Sequence, residues 1–250
     1  MSGIVGSSIV TDGLVFYIDA ANPESYVSGS TTTNSLVGNI KGSLINDIEF
    51  STDDQGNWVF DGIDDYIEVL SNGNGSIFSV QDYTLDMWFK SNFNGTYDVL
   101  WSYDHNTHTN PFYSQHLRIN NVVGGVSGIL LYAWNRNGSS VRTVNAGTIT
   151  TGWYNCCVTK SPIEAKMYLN GILKNTNTFT SETVSYYDQE VWIGRSNFGT
   201  GIAKGNFSSI KFYNKVLTDN EVQQNYNALK GRFGLWAEEK DRHQVAQITL

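Results

Sequence analysis

The chain is short of the residues that most often betray a function. It holds two cysteines in 250 residues, Cys156 and Cys157, and they are adjacent. Neighbours in a strand point to opposite faces, so a mutual disulfide would need strained geometry. Two reduced thiols are therefore expected, at least one buried as a small apolar residue, which argues against a disulfide-stapled secreted domain. Positive charge is scarce too. Sixteen Lys and Arg stand against 24 Asp and Glu, leaving a net charge of −8 and a pI near 4.9, so a polyanion such as nucleic acid would be repelled over most of the surface. No run approaches the roughly 20 apolar residues of a membrane span, and Met1 to Asp12 carries neither a basic cluster nor an apolar stretch of signal-peptide length. Neither membrane insertion nor a secretory leader is expected. The sequence also has no Gly-Lys-Ser/Thr phosphate loop, no Gly-x-Ser-x-Gly elbow and no His/Cys nucleophile pairing.

What is present reads as β-structure. Aromatics make up 13% of the chain, and 24 Gly accompany only 3 Pro, a composition suited to many short strands joined by Gly-, Asn- and Ser-rich turns. At this length an all-β sandwich commonly forms one domain. Leu14 to Ile18 is the first strand, stopped by the turn formers Asp19 to Pro23. Asn57 to Val69 holds two apolar alternations around Asp61-Gly62, a hairpin or tight-turn signal. Tyr83 to Lys90 alternates with period two, which places Tyr83, Leu85, Met87 and Phe89 on the core face and Thr84, Asp86, Trp88 and Lys90 on the other. Further strands are expected at 98–103, 115–119, 128–134, 141–144, 153–160, 166–169, 172–174, 190–194 and 205–213. Asn170-Gly171 between two alternating runs predicts a type I′ hairpin turn, since both residues accept positive φ.

One helix is expected. Thr218 is an N-cap with Glu221 three residues on, Leu217 is placed to staple onto Val222, and Gly231 is the expected stop. Beyond residue 235 the chain changes character: Glu238 to Arg242 crowd five charges together. The segment 236–250 therefore reads as a flexible end or as an arm that docks on a partner through Trp236, Val245, Ile248 and Leu250.

Taken in order, Gly13 to Pro23, Phe60-Asp61-Gly62 with Asp65-Tyr66-Ile67, Tyr83 to Phe89, Trp153-Tyr154, Tyr168 to Gly171, Ile193-Gly194-Arg195 and Phe212 to Leu217 resemble the concanavalin A-like/laminin-G superfamily, over about residues 13 to 230. The resemblance implies an all-β jelly-roll sandwich of two antiparallel sheets, residues 1–235, whose concave face or rim loops hold glycans or protein partners; several members carry calcium at a rim. Residues 225 to 235 also resemble the close of such domains in structural proteins of tailed bacteriophages. A virion protein folds in the reducing cytosol and leaves by lysis, so it needs no leader and no disulfides. The expected role is thus a non-catalytic decoration or adhesion module on a virion surface, partnered by capsid or tail proteins, by cell-surface glycans and by further copies of itself in a homo-oligomer; a free lectin domain is the alternative, and a glycoside hydrolase comes third.

Sandwich glycosidases present paired carboxylates from one strand, and no Glu-x-Asp-x-x-Glu run occurs here. Asp61, Asp64, Asp65 and Glu68 straddle a turn, where turn capping and solvated rim charge explain them; Asp61, Asp64 and Asp65 could also supply oxygens to calcium. His105, His108 and His116 lie in a polar stretch without a helix or a fourth ligand to set zinc geometry. For glycan contact, which needs ring faces and amide groups, the candidates are Trp101, Tyr103, Trp134, Asn135, Arg136 and Asn137, with ordinary core packing the competing explanation for the aromatics.

Overall fold

The computed structural model describes residues 8–70, 77–93, 97–104, 113–124, 127–136, 140–186, 191–196 and 201–235. Its strands form two antiparallel sheets. Sheet one runs β14 (Ile172–Thr178), β13 (Glu164–Leu169), β12 (Gly152–Lys160), β7 (Tyr83–Ser91), β16 (Lys204–Tyr213), β5 (Asn57–Asp61) and β4 (Glu49–Ser51), with β1 (Leu14–Asp19) also paired to β16. The long β16 lies along β7 on one edge and divides the other between β5 and β1. Sheet two runs β11 (Ser140–Thr150), β10 (Ser127–Arg136), β9 (Tyr113–Val123), β8 (Tyr97–Asp104), β15 (Val191–Ile193), β6 (Tyr66–Leu70), β3 (Lys41–Ile45) and β2 (Thr32–Asn34). This is the expected jelly-roll sandwich.

Alternation builds the core. Tyr83, Leu85, Met87 and Phe89 face inward from β7 and meet Trp101, Tyr103, Leu117, Tyr132 and Trp134 of sheet two in one continuous apolar cluster. Directly opposed residues of a sheet share a face. The ladder Leu44, Ile67, Ile193, Trp101, Leu117, Tyr132, Val144 therefore crosses seven strands of sheet two as a single buried row. The turn at Asn170-Gly171 has φ of 52° and 73°, as a type I′ hairpin requires.

The other face of β7 is covered as well. Helix α1 (Asp219–Leu229) starts with the expected capping box: Glu221 N–H donates to Thr218 Oγ1 (3.3 Å) while the Thr218 N–H donates to Glu221 Oε2 (2.7 Å). Leu217 and Val222 share an apolar cluster with Val10, Cys157, Tyr168 and Tyr213, and the Trp88 ring stacks on Phe233 at 4.2 Å and on Tyr226 at 5.7 Å. Beneath the helix lies a buried polar knot. The Asp86 carboxylate accepts from Asn155 Nδ2 (2.7 Å) and Asn225 Nδ2 (3.0 Å) and lies 3.9 Å from the Lys211 ammonium. Asn225 Oδ1 in turn accepts from the Val10 N–H at 2.8 Å, tying the N-terminal segment to the helix. Cys156 points into the core and Cys157 under the helix, both free, and burial pushes both thiols well above their ordinary range.

Three expectations need correction. The two strands flanking Asp61-Gly62 are not a hairpin: β5 pairs in sheet one and β6 in sheet two, so the turn, with Gly62 at φ 81°, carries the chain across the sandwich. The short strands β2, β3 and β4 were not anticipated, because Gly42 and the Ser- and Asn-rich stretch around them blur the alternation. Nor does Gly231 stop the helix. The chain tightens into a 3-10 turn over Lys230–Phe233 and ends at Gly234 in the left-handed region at φ 71°. That turn is anchored by Arg232, which donates to Asp19 Oδ1 (2.7 Å), to the Asp54 carbonyl (2.8 Å), to the Gly56 carbonyl and to Ser208 Oγ.

Because Lys211 is fully buried, Asp86→Ala would leave its ammonium without a counter-charge and take one acceptor from each of the Asn155 and Asn225 amides. Loss of one member of such a buried pair costs about 3–5 kcal/mol. The expected outcome is a fall of that size in urea unfolding free energy; an unchanged midpoint would remove the knot as a stabilising element.

Candidate functional site

With the outward face of sheet one sealed by α1 and the following turn, the broad surface left to the sandwich is the outward face of sheet two. Opposed residues place Thr32, Ser43, Glu68, Trp192, Ser102, His116, Ala133 and Thr143 in one row across all eight strands of this face. The row is open from Thr32 to Trp192 and buried at Ser102, His116 and Ala133. It is exposed again at Thr143 on the edge strand β11, and the accessible stretch that reaches Trp192 lies over β2, β3, β6 and β15.

Here three flat groups converge. The Tyr66 and Trp192 rings stack at 5.2 Å and 25°, and the Arg195 guanidinium carbon lies 4.3 Å from the Tyr66 ring centre and 4.7 Å from that of Trp192. All three side chains are half-buried. Local chemistry puts them there. Tyr66 follows the crossover turn, two residues before Glu68 on the same face of β6, and Trp192 points outward between the inward Val191 and Ile193. The chain then turns sharply at Gly194, whose φ is 91° and where a Cβ would lie 2.2 Å from the Phe60 ring; only glycine fits, and the turn folds Arg195 back over the rings. Ser102 Oγ holds the Arg195 carbonyl at 2.9 Å, and Arg195 Nε donates to the Ser196 carbonyl at 3.2 Å. A cation over aromatic faces adds about 0.5–2 kcal/mol to such packing.

The expected glycan-contact residues lie elsewhere. Trp101, Tyr103, Trp134 and Asn135 have relative exposures of 0%, 1%, 0% and 0%, so none offers a surface to a sugar. Trp101 packs at 6.0 Å and 8° on Phe212, the Tyr103 hydroxyl bonds Ser79 Oγ at 2.7 Å, and the Lys160 ammonium lies 5.5 Å from the Trp134 ring centre. Burial lowers Lys160 to about 8. The cause of the misplacement is the pleat, which turns Trp101 and Tyr103 to the side of Leu117 and Ile119. Arg136 ends β10, and its side chain, like the whole of Asn137, lies outside the described residues, as do His105, His108 and the proposed docking residues Trp236, Val245, Ile248 and Leu250. His116 is buried between Ser102 and Ala133. Trp192 and Arg195 were missed as contacts, although the alternation of Val191-Trp192-Ile193 alone would have turned that indole outward.

The aspartates do come together. One carboxylate oxygen from each of Asp61, Asp64 and Asp65 lies within 4.8 Å of the others, Asp61 and Asp64 being exposed and Asp65 buried. Asp65 Oδ2 accepts from the Asp61 N–H (2.9 Å), Asp61 Oδ1 accepts from the Ile63 N–H (2.7 Å), and Asn46 Nδ2 donates to the Asp64 carbonyl (2.8 Å). Burial, above all, pushes the Asp65 carboxyl up to about 6; the Asp61 N–H pulls the other way, and the charges of Asp61, Asp64 and Asp47 add to the rise. Clustered hard oxygens of this kind suit calcium. The cluster ends one residue before Tyr66 and so borders the aromatic group.

A family model described as the concanavalin A-like lectin/glucanases superfamily matches residues 60–223, a span that includes Tyr66, Trp192 and Arg195. No curated protein matches the chain. Among solved structures, the receptor-binding domain of botulinum neurotoxin mosaic serotype C/D is similar with a TM-score of 0.66 and 15% identity, over 87% of this chain and 51% of that one. The botulinum neurotoxin serotype D ligand-binding domain in complex with N-acetylneuraminic acid gives 0.63 and 14%, over 86% and 50%. Domain 4 of AbnA, an extracellular arabinanase from Geobacillus stearothermophilus, in complex with arabinotriose, gives 0.61 and 14%, over 85% and 98%. The chain spans about half the length of the neurotoxin domains, and at these identities the likeness is one of fold.

The raised Asp65 carboxyl has a consequence for stability. A folded value near 6 stands above the unfolded value of about 3.9, so the folded state is favoured most below pH 4 and loses that contribution as pH rises through 6. Asp65→Asn keeps an oxygen for the Asp61 N–H and removes the charge. Its melting temperature is expected to exceed that of the wild type above pH 6, with the difference closing toward pH 4; parallel curves across that window would refute the assignment.

Proposed function

The chain belongs to the concanavalin A-like lectin/glucanase superfamily, and we propose that it is a non-catalytic carbohydrate-binding module whose ligand lies on the outward face of sheet two. The observation that carries this reading is the half-buried Tyr66–Trp192–Arg195 group at the inner end of the open part of that face. Sugars offer flat C–H faces ringed by hydroxyls, and aromatic faces bordered by polar side chains match them. Ser43 and Glu68 are the polar neighbours in the same row. Two of the similar structures were determined with sugars bound, arabinotriose in one and N-acetylneuraminic acid in the other.

The non-catalytic part of the reading rests on the carboxylates. A retaining glycosidase needs two about 5–5.5 Å apart across the bound bond. Glu68 is the one acid in the row beside the rings, and the aspartates belong to the crossover turn at its margin. Reducing-end release by the wild type that is lost in Glu68→Gln or Asp65→Asn would replace this reading by a hydrolase.

We further assign the three aspartates to calcium, with backbone and water oxygens completing the six to eight ligands it takes. Calcium binding only to the folded chain raises its stability by mass action. For placement we retain a virion surface, with capsid or tail neighbours gripping residues 236–250 and symmetric copies assembling there; the support is the pair of free, buried thiols, which fit folding in a reducing compartment. The phage-like stretch 225–235 is accounted for by packing, since Asn225, Tyr226, Arg232 and Phe233 close the sheet-one face. Co-purification of the chain with particles, lost on deletion of 236–250, checks the placement.

Two outcomes are expected. On a glycan array Trp192→Ala loses at least about 30-fold in affinity, about 2 kcal/mol, as a central aromatic anchor does, with its melting temperature little changed; retained affinity in a folded variant would refute the site. Millimolar calcium at pH 7 raises the melting temperature of the wild type and leaves that of Asp61→Asn/Asp64→Asn where it was.

A further inference from the structure

The Arg195 guanidinium is fixed in place but largely unused. Its guanidinium carbon lies over the Tyr66 and Trp192 rings, its backbone carbonyl is gripped by Ser102, and among the described residues the side chain makes a single hydrogen bond, from Nε to the Ser196 carbonyl. Its two terminal nitrogens, with four N–H donors, have no described partner. Other arginines of the chain are spent differently. Arg232 has all three of its nitrogens bonded, and Arg142 directs Nε and Nη2 at Glu182 Oε1 at 3.1 and 2.9 Å.

A guanidinium held over two aromatic rings, with Nε bonded and both Nη groups left over, is preorganised for a planar, two-oxygen anion: the fork matches a carboxylate, and less side-chain freedom remains to be lost on binding. A neutral sugar would leave that edge to water. We propose that the glycan bound at this face is an acidic one, with the carboxylate of a uronic or sialic acid residue taken end-on by Arg195 Nη1 and Nη2 while the sugar ring lies beside the Trp192–Tyr66 pair. This inference rests on the carbohydrate-binding reading above and narrows it to a ligand class.

The chain's overall charge of −8 opposes an anion at long range, but screening over about 8 Å at physiological salt confines that opposition, and the paired hydrogen bonds act at contact. The two terminal N–H pairs of one guanidinium match one carboxylate, so the contact selects a single acidic group beside a hydroxylated ring.

The test is an array carrying matched pairs, each an acidic glycan and the same glycan with the carboxyl absent or methyl-esterified, probed with the wild-type chain, Arg195→Gln, Arg195→Lys and Trp192→Ala, followed by titration of the tightest pair. The acidic member is expected to bind at least tenfold more tightly than its neutral mate. Arg195→Gln should remove that preference, bringing the acid to the affinity of the neutral form or below. Arg195→Lys, which keeps the charge and loses the fork, should restore it only in part; full restoration would overturn the two-pronged contact. Trp192→Ala should weaken both members. Equal binding of acid and neutral forms, or a preference that survives Arg195→Gln, overturns the acidic ligand and leaves the carbohydrate reading standing, whereas no binding of either member anywhere on the array overturns both. Circular dichroism and melting of each variant establish that the protein compared is folded.

Discussion

The architecture depends on a buried carboxylate. Asp86 occupies the outward face of β7, where a sandwich normally meets water, and it is satisfied there only because α1 lies across it and brings Asn225 to its second oxygen. A charge in that position is costly unless every partner is present. Helix, N-terminal segment and sheet one are therefore tied together, with Trp88 stacked on both Tyr226 and Phe233. The same cover decides where binding can take place: it withdraws one broad face of the sandwich and leaves the other.

On that second face, the crossing from sheet one to sheet two has a double effect. Residues 62–65 take the chain over the edge of the core, and the two ends of the crossing differ in chemistry. Asp61 closes β5 and Asp65 precedes β6, so the carboxylates collect at the margin while Tyr66 emerges on the face next to Trp192. Gly194 completes the arrangement from the other direction, since the close approach of Phe60 forbids a side chain at the point where Arg195 turns back. Acidic margin and cationic, aromatic group thus stand side by side by construction.

Much of this was legible beforehand. Period two in Tyr83 to Phe89, the Asn170-Gly171 turn and the Thr218/Glu221 cap each identify an element through local chemistry that tertiary contacts do not override. The partners of strands were not legible: Asp61-Gly62 reads as a hairpin locally, and only the pairing of β5 with β16 and of β6 with β15 shows a crossing. For the site, Asp61, Asp64 and Asp65 were found because they are close in sequence. Tyr66, Trp192 and Arg195 come from segments more than a hundred residues apart, and the brighter aromatic signal of Trp101, Tyr103 and Trp134 belonged to the core.

The neighbouring cysteines divide this molecule more sharply than its sheets do. Cys156 faces the interior of the sandwich and Cys157 the layer beneath α1, and in both the reactive thiolate is suppressed by burial. A thiol reagent reaches Cys157 once the helix lifts, whereas Cys156 requires the two sheets to part. One dipeptide is in this way a pair of built-in reporters, able to tell the peeling of an outer layer from the opening of the molecule as a whole.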